Sequence, residues 1–363
     1  MSLRVLVLGG DGVGPEVIEQ ARRVLERLAR QGALALELIE RPYGLSAWKS
    51  SGHILPPETL QLALEVDAVL FGAIGGDYAG VPMQVRREGS VLRLRRELGL
   101  YANLRPVRYW PALAASCPLQ RHVAQGTDIA LIRENTGGLY FGLPRGRERR
   151  ADGLEEAHNT LRYTTAEIER VARFAFGLAR SRKGRLCSVD KSNVLETGLL
   201  WRETVTALHA REFADLELTH MLVDNCALQL VREPTRFDVI VTDNMFGDIL
   251  SDGAGAIAGS LGMLPSASLG EPRANGRPAA LYEPVHGSAP DIEGRGIANP
   301  IGALLCVALL LRHTAQREDL ATRLELAIET VLQQGLRTAD IAAAAEPVVG
   351  TAAMGDAVLA ALA

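Results

Sequence analysis

The sequence has few cysteines and no long apolar run. Its four cysteines include no Cys-x-x-Cys pair and are too dispersed to form a dense disulfide framework. We therefore expect reduced thiols in a cytoplasmic protein. The longest apolar run, Ala303–Leu311, is far shorter than a membrane-spanning helix. The N-terminus also lacks the basic and apolar segments of a signal peptide, so we expect no membrane or export role.

A strong excess of charge of one sign is also absent. The chain carries 39 Lys and Arg residues against 43 Asp and Glu residues, a formal net charge of −4. Proteins that bind nucleic-acid backbones usually have a basic excess, so we expect no nucleic-acid partner. The local cluster Arg145–Arg150 is interpreted as a solvated face or a site for small anions.

What the sequence does contain is typical of an α/β protein. With 363 residues and 47% hydrophobic content, it can form one large or two medium domains. Short β-type runs alternate with helical patterns, which predicts βαβ units and a mainly parallel sheet. The predicted strands are 4–8, 34–39, 68–71, 129–133, 186–189, 217–223 and 239–242, and the predicted helices are 58–65, 165–182, 195–211, 248–260, 300–312 and 318–334, with another starting at Pro15.

Two further segments carry local predictions. Gly137–Gly142, with the charged stretch that follows it to Glu156, interrupts the alternation and predicts a β-ribbon or projecting arm. The alanine run Ala342–Ala345 is expected to lie in a helix.

The glycine-rich segment Gly9–Glu16 follows a predicted strand and opens a helix, as a dinucleotide-binding turn does. Its spacing does not fit that motif, because Pro15 stands where Gly-x-Gly-x-x-Gly needs its third glycine after Gly10 and Gly12. Proline suits the first turn of a helix. The segment is therefore either a tight strand-to-helix turn or a cofactor contact of another geometry, and the fold is not expected to be Rossmann.

A pair of aspartates predicts a metal site. Asp248 and Asp252 are four residues apart, so a helix beginning there places both carboxylates on one face. Oxygen ligands without cysteine or histidine favour Mg²⁺ or Mn²⁺. A third ligand could come from Asp224, at a predicted strand-to-helix junction. The alternative is that these aspartates only cap a helix N-terminus.

Other charged and phenolic residues suit acid–base chemistry on a carboxylate substrate. Arg95, Arg105 and Arg133 lie near strand ends, where a guanidinium can hold a carboxylate with two hydrogen bonds. Lys191 and Tyr140 are the residue types that move protons on and off a carbon acid. Taken singly, each of these residues could equally be a surface side chain.

Six segments in this order resemble one family, the isocitrate/isopropylmalate dehydrogenases, which are β-decarboxylating hydroxyacid dehydrogenases. The segments are Gly10–Glu16, Ala102–Pro106, Arg133–Gly142, Val189–Val194, Asn244–Asp252 and Glu283–Asp291. The resemblance covers essentially the whole chain. It implies an α/β two-domain fold of the isopropylmalate/isocitrate dehydrogenase type, with a mainly parallel sheet, and a homodimer with shared active sites.

The resemblance also implies a domain layout and residue roles. Residues 1–105 and 259–363 would form the large cofactor-binding domain, and residues 106–258 the dimerisation and substrate domain, with an arm near 137–157. Arg95, Arg105 and Arg133 would hold the malate carboxylates, and Asp248 and Asp252, with the partner subunit's Asp224, would hold Mg²⁺ (or Mn²⁺) and the substrate. The partner subunit's Lys191 would take the hydroxyl proton, and Tyr140 would protonate carbon after CO₂ leaves.

For the cofactor, the resemblance implies NAD. In this family an aspartate at the position of Asp291 hydrogen-bonds the ribose hydroxyls, and a carboxylate there repels a 2′-phosphate. The implied cofactor-binding residues are Val13, Asn193, Glu283, His286, Gly287, Ser288, Ala289, Asp291 and Asn299.

Substrate choice is expected to depend on Glu88, Val91 and Leu92. Isocitrate enzymes carry a serine and an asparagine where this chain has Gly89 and Val91, so a donor for a third carboxylate is missing and an apolar pocket is expected. The expected reaction is oxidative decarboxylation of a 3-substituted (2R)-malate. The best single substrate is (2R,3S)-3-isopropylmalate, giving 4-methyl-2-oxopentanoate in leucine biosynthesis.

Two departures from the isopropylmalate pattern leave alternatives open. Asn135 replaces a common leucine, and Gly76-Asp77-Tyr78 replaces a common Gly-Pro-Lys. A paralogue acting on another 3-alkylmalate, homoisocitrate, D-malate or tartrate is therefore the first alternative. A non-catalytic regulatory subunit is the second. Such chains usually lose metal or proton-transfer residues, and none is lost here.

Overall fold

The computed structural model describes residues 2–273 and 275–362. Its strands are β1 (Leu3–Gly10), β2 (Leu36–Glu40), β3 (Ala68–Ala73), β4 (Ala102–Arg108), β5 (Asp128–Glu134), β6 (Gly146–Arg149), β7 (Glu155–His158), β8 (Arg185–Asp190), β9 (Glu217–Leu222), β10 (Val239–Thr242), β11 (Pro265–Pro272) and β12 (Pro278–Pro284). Its helices are α1 (Gly14–Arg30), α2 (Leu45–Ser51), α3 (Pro57–Glu65), α4 (Met83–Glu88), α5 (Val91–Glu97), α6 (Arg121–Ala124), α7 (Thr165–Arg180), α8 (Glu196–Glu212), α9 (Val223–Arg232), α10 (Asn244–Ala254), α11 (Ile301–His313), α12 (Glu318–Gln333) and α13 (Thr351–Ala361). Within this described part, no helix is long and apolar enough to cross a bilayer.

The chain divides into two compact units. The first consists of Met1–Leu100, Arg108–Gln125 and Gly255–Ala363, and the second of Tyr101–Val107 and Gly126–Ala254. The sequence-based layout differs mainly in residues 108–125, which it grouped with the middle of the chain. Both units are α/β, as the alternation of patterns predicts.

In the first unit the strand order is β2-β1-β3-β12-β11. β1 pairs in parallel with β2 and β3, β3 pairs in parallel with β12, and β11 is antiparallel to β12. α1 covers this sheet with the buried stripe Val17, Ala21, Val24 and Leu28, which has the spacing of one helix face. Gly10 has a φ of 79°, and a side chain there would overlap the Ala73 carbonyl. The glycine-rich turn therefore serves close packing of the β1 and β3 ends.

In the second unit the strand order is β4-β5-β10-β8-β9. β10 pairs in parallel with β5 and β8, and β8 with β9. Parallel strands present their carboxyl ends at the same edge, where ligands bind in α/β sheets. Arg133, Lys191, Asp224 and Asn244 all lie at or just after such strand ends.

The predicted ribbon is confirmed. β6 and β7 form a two-stranded antiparallel sheet, and every residue of both strands is exposed. An isolated exposed hairpin has little stability of its own. Its apolar neighbours Leu143 and Leu154 are 72% and 64% exposed.

Two helix predictions are wrong in detail. α10 begins at Asn244, four residues before the predicted start at Asp248, and ends at Ala254. Ala342–Ala345 is not helical. Ala345 has a φ of 68°, and Pro347 disfavours a helical conformation at the residue before it.

Candidate active site

Two arginines and two aspartates form the centre of the candidate site in the second unit. Arg105 donates through Nη1 to Asp252 Oδ1 at 2.8 Å, and its Nη2 lies 3.3 Å from Asp248 Oδ1. Arg133 forms an ion pair with Asp248 through Nη1. Both arginines are buried, 7% and 2% exposed, whereas the side chain of Asp252 is 51% exposed. The cluster therefore has a buried cationic floor and an accessible carboxylate rim.

Asn244 fixes the orientation of Arg133. Its Oδ1 accepts from Arg133 Nε and Nη2 at 2.9 and 2.7 Å, and its Nδ2 donates to the Gly137 carbonyl at 3.0 Å. Its own backbone N–H donates to the Tyr163 hydroxyl at 2.9 Å. Asn244 is fully buried, so these bonds hold the guanidinium in one position.

Capping of α10 falls to Asp243 and not to the predicted metal ligands. Asp243 Oδ1 accepts from the Phe246 backbone N–H at 2.7 Å, as an N-cap side chain does. Asp248 and Asp252 lie in later turns of α10. The interpretation of these two aspartates as helix caps is therefore excluded by the helix start.

Asp243 gives a pH-dependent stability prediction. Burial raises its pKa to about 6, and Glu134 adds to this while Phe246 and Arg133 oppose it. Because the folded pKa exceeds the unfolded value, the folded state binds the proton more tightly, so stability should fall as pH rises from about 4 to about 6. Asp243→Asn keeps the capping oxygen and removes the charge. We expect it to raise the unfolding free energy by about 3 kcal/mol at pH 8 and by almost nothing at pH 4.

Urea denaturation of both proteins at the two pH values measures this difference. Parallel stability curves for wild type and variant would show that Asp243 is already ionised without cost in the fold.

Tyr140 stands in a short turn held by buried groups. The turn follows Glu134, whose carboxylate accepts from the Thr136 and Gly137 backbone N–H groups at 3.0 and 2.7 Å. The Tyr140 hydroxyl donates to Asp248 Oδ2 at 3.0 Å. Burial and the Asp248 charge raise the pKa of Tyr140. The phenol therefore stays protonated beside the aspartate–arginine cluster and has a proton to give.

Lys191 and Asp224 form a second polar pair. Lys191 Nζ lies 2.6 Å from Asp224 Oδ1, and this bond lowers the pKa of Asp224. α8 packs closely on the Lys191 backbone, since a side chain at Gly198 would lie 2.7 Å from the Lys191 carbonyl carbon. Among the described residues, no three acidic, histidine or cysteine side chains lie close enough to share a metal ion. Asp224 therefore does not join Asp248 and Asp252 within one chain.

The first unit carries the remaining predicted substrate residues. Arg95 is 7% exposed and pairs with Glu283, and its Nε has no hydrogen-bond partner in the described part of the chain. Glu88 ends α4 and is exposed, whereas Val91 begins α5 and is half-buried against the core. Leu92 is half-buried, and its backbone N–H donates to the Ser90 side chain.

The residues expected to hold NAD include several features that fit a ligand. His286 Nε2 is buried without a partner among the described residues. Ala289 has a φ of 42°, a strained conformation that clusters at functional sites. Asp291 is exposed, and Gly287 has no atoms within 4 Å of a built β-carbon. An unsatisfied buried nitrogen beside open backbone suits a polar, extended cofactor.

Two of the other predicted cofactor residues are held by protein contacts. Asn299 is buried, and its Nδ2 donates to Asp340 Oδ2 at 3.0 Å. Val13 is 2% exposed and donates its backbone N–H to the Ser288 carbonyl at 2.9 Å. Asn193 is exposed in the turn after Lys191, in the second unit.

Sequence reasoning missed the residues that hold the site together. Asn244 bonds the predicted residue Arg133, and Glu134, Tyr163 and Asp243 hold the surrounding backbone, yet none of the four was assigned a role. For Asn244, Asp243 and Glu134, a position at or just after the ends of β5 and β10 was the only available signal, and Tyr163 gave none, because a hydrogen bond between distant segments leaves no local pattern.

Comparison with known proteins defines the class. The sequence profile of the isocitrate/isopropylmalate dehydrogenase family matches residues 4–358, and the chain belongs to this family of decarboxylating hydroxyacid dehydrogenases. The 3-isopropylmalate dehydrogenase 1 of Bradyrhizobium diazoefficiens is 54% identical to it, over 99% of this chain and 96% of that protein. The 3-isopropylmalate dehydrogenase 1 of Bordetella bronchiseptica is 55% identical, over 99% and 97%.

A solved structure gives the same class. Isocitrate dehydrogenase from Methylococcus capsulatus has a TM-score of 0.86 and 32% identity to this chain, and 99% of each chain is covered. The expected family and fold class are confirmed.

Proposed function

We propose that this chain oxidises and decarboxylates 3-isopropylmalate to 4-methyl-2-oxopentanoate in leucine biosynthesis, with NAD and Mg²⁺ or Mn²⁺. The observation that carries the proposal is the cluster of the buried Arg105 and Arg133 with Asp248 and Asp252, beside the Tyr140 hydroxyl. The high identity to enzymes named for this substrate supports the choice of malate.

The charges of the cluster suit a divalent cation together with a dianionic substrate. Two guanidinium groups balance two carboxylates, so the cluster alone is neutral. A divalent cation on the exposed Asp252 and on Asp248 would leave a charge of +2, equal and opposite to two substrate carboxylates. Asp248 and Asp252 supply only oxygen donors, which Mg²⁺ and Mn²⁺ prefer.

The side chains divide the chemistry as follows. Arg105 and Arg133 would bind the substrate carboxylates, and the partner subunit's Lys191 would take the hydroxyl proton. Bound NAD would supply the acceptor for the hydride on C2. The bond to the C3 carboxylate then breaks to release CO₂, and Tyr140 gives its proton to C3. The cation supplies positive charge that favours loss of the hydroxyl proton and formation of the enolate.

The turn between α4 and α5 supports an alkyl-substituted substrate. Gly89 is buried, and a side chain there would overlap Ile54, which is itself 2% exposed. The Tyr43 hydroxyl donates to the Gly89 carbonyl at 2.8 Å. Serine therefore cannot be placed at this position without moving the core, so the turn offers no hydroxyl for a third carboxylate.

A homodimer with shared sites is part of the proposal. The exposed face of α9 carries Asp224 followed by Leu228 and Val231, 50% and 58% exposed, and α10 exposes Ile249 at 64%. These apolar side chains lie on the same helices as the predicted ligands Asp224 and Asp252. A second copy of the chain that covered them would therefore bring Asp224 of one subunit towards Asp252 of the other. Lys191 and Asp224, paired in one chain, would then be offered together to the other.

A panel of 3-substituted malates tests the substrate, each assayed with NAD and NADP in parallel. We expect the highest kcat/KM for 3-isopropylmalate, and a preference for NAD because Asp291 disfavours a 2′-phosphate. Isocitrate, homoisocitrate, D-malate and tartrate serve as competing substrates. A clear preference for any of these would replace the proposed substrate, and equal use of NADP would remove the role given to Asp291.

A further inference from the structure

Tyr78 lies in a loop to which the proposed chemistry assigns no role. The loop runs from Gly75 to Gly80, between β3 and α4, and three of its glycines have positive φ. Such a segment has many conformations available unless something restrains it. Tyr78 is half-buried and packs on the core of the first unit.

The restraint is the buried carboxylate of Asp11, in the glycine-rich turn after β1. Its Oδ2 accepts from the Tyr78 hydroxyl at 2.5 Å and from the Gly75 backbone N–H at 3.2 Å. Its Oδ1 accepts from the backbone N–H of Leu45, the first residue of α2, at 2.7 Å. Asp11 is 7% exposed. One carboxylate therefore joins three segments.

The far side of the loop is held separately. Arg86 donates to the Tyr78 carbonyl and, through Nε, to the Val81 carbonyl at 3.0 Å. The side chain of Tyr78 thus anchors the loop to Asp11, while its backbone anchors the loop to α4. Burial and Asp11 raise the pKa of Tyr78 above its usual value, so the hydroxyl remains a donor.

The turn after β1 and the Gly75–Gly80 loop both contact Ser288, a predicted cofactor residue. A β-carbon at Gly12 would overlap the Ser288 carbonyl, and one at Gly75 would lie 2.9 Å from Ser288 Oγ. Ser288 is 7% exposed. The position of Gly75 therefore sets the shape of the backbone around Ser288, and Asp11 and Tyr78 set the position of Gly75.

We propose that Tyr78 is a positioning residue for the dinucleotide, because its hydrogen bond to Asp11 holds the Gly75–Gly80 loop against Ser288 in the form that the cofactor binds. This inference rests on the proposed use of NAD. Ordering a loop on binding costs conformational entropy. A loop that is already ordered avoids this cost, so the ligand binds more tightly.

Tyr78→Phe keeps the ring and removes the bond. We expect the Kd for NADH, measured by fluorescence titration without substrate, and the KM for NAD each to rise about tenfold, the factor that one hydrogen bond to a charged group supplies. The kcat and the KM for the hydroxy acid should stay within about twofold, since the aspartate–arginine cluster is untouched.

Two further variants separate positioning from general stability. Tyr109→Phe is the matched control, because the Tyr109 hydroxyl is buried without a hydrogen-bond partner in the described structure, and it should leave the Kd unchanged. Asp11→Ala removes both acceptor oxygens, so adding Tyr78→Phe to it should weaken NADH binding no further.

An unchanged Kd for Tyr78→Phe overturns the inference, even if its melting temperature falls. So does a full additional loss in the double variant. If wild type binds NADH but turns over no malate of the panel, the proposed substrate fails while the comparison of Kd values stands. If wild type does not bind NADH at all, both proposals fall.

Discussion

Lys191→Met is expected to lower kcat at least about a thousandfold, the scale of losing a proton-transfer group. The Lys191 side chain is only partly exposed, and its Nζ bonds Asp224. Methionine keeps much of the length of the lysine side chain. The Asp224 carboxylate is more exposed and can be hydrated after the change. We therefore expect little loss of stability, to be checked by urea denaturation alongside steady-state kinetics.

Mixing inactive variants tests whether the lysine serves the other chain. Lys191→Met and Asp252→Asn each damage one side of the proposed shared site, so a heterodimer regains one intact site. With random exchange, half of the dimers are mixed, and about a quarter of wild-type activity should return. Mass spectrometry verifies that the subunits have exchanged. If no activity returns after exchange, Lys191 and Asp252 belong to the same site of one chain, which contradicts the proposal.

Arg133→Lys is expected to lower kcat/KM for the hydroxy acid by about a thousandfold, as removal of a preorganised charged donor can. The guanidinium bonds Asn244 through two nitrogens and Asp248 through a third. A single ammonium cannot reproduce this planar fork. Asn244 Oδ1 would lose its partners in a fully buried position, so the side chain that orients the site would itself be released.

The matched control for this variant is Arg182→Lys. Arg182 likewise bonds an aspartate of the second unit, donating through Nε to Oδ1 of the buried Asp238 at 2.8 Å. We expect both variants to lose stability but only Arg133→Lys to lose turnover. Equal losses of kcat/KM in the two variants would mean that Arg133 acts through the fold and does not bind substrate.

The predicted strands, and all of the predicted helix starts except that of α10, lie within two residues of those observed. β3 and β10 are continuous apolar runs and lie within a residue or two of their predicted bounds. The start of α7 follows from Thr164 and Glu167, which form a capping box. These signals are local, so a single segment of sequence contains them.

The start of α10 could not be predicted in the same way. Its first turn contains Gly247, which has a poor helix propensity. The glycine is there because a side chain would lie 2.6 Å from Arg133 Cβ, so the helix can pack directly on β5. Ala342–Ala345 shows the opposite case, in which alanines favour a helix but Pro347 prevents it from continuing. In both cases tertiary packing or one neighbouring residue outweighs propensity.

The candidate site shows the same division. Asp248, Asp252 and Arg133 could be found from residue type and spacing, because their chemistry is visible in the sequence. Asn244 and Glu134 act only through the residues they contact, and the bond from Tyr78 to Asp11 joins segments that are far apart in the chain. Such positioning contacts require coordinates.

Under the proposed function, the neutral aspartate–arginine cluster also predicts that the cation and the substrate bind cooperatively. While each carboxylate is bonded to a guanidinium, neither charge is buried without a counterion, so the cluster is stable before any ligand arrives. A cation that takes the aspartates frees the arginines for an anion, and an anion that takes the arginines frees the aspartates for a cation. By thermodynamic linkage each ligand must strengthen the binding of the other by the same factor. The ion pairs of the unliganded cluster therefore oppose the binding of either ligand alone and favour the binding of both.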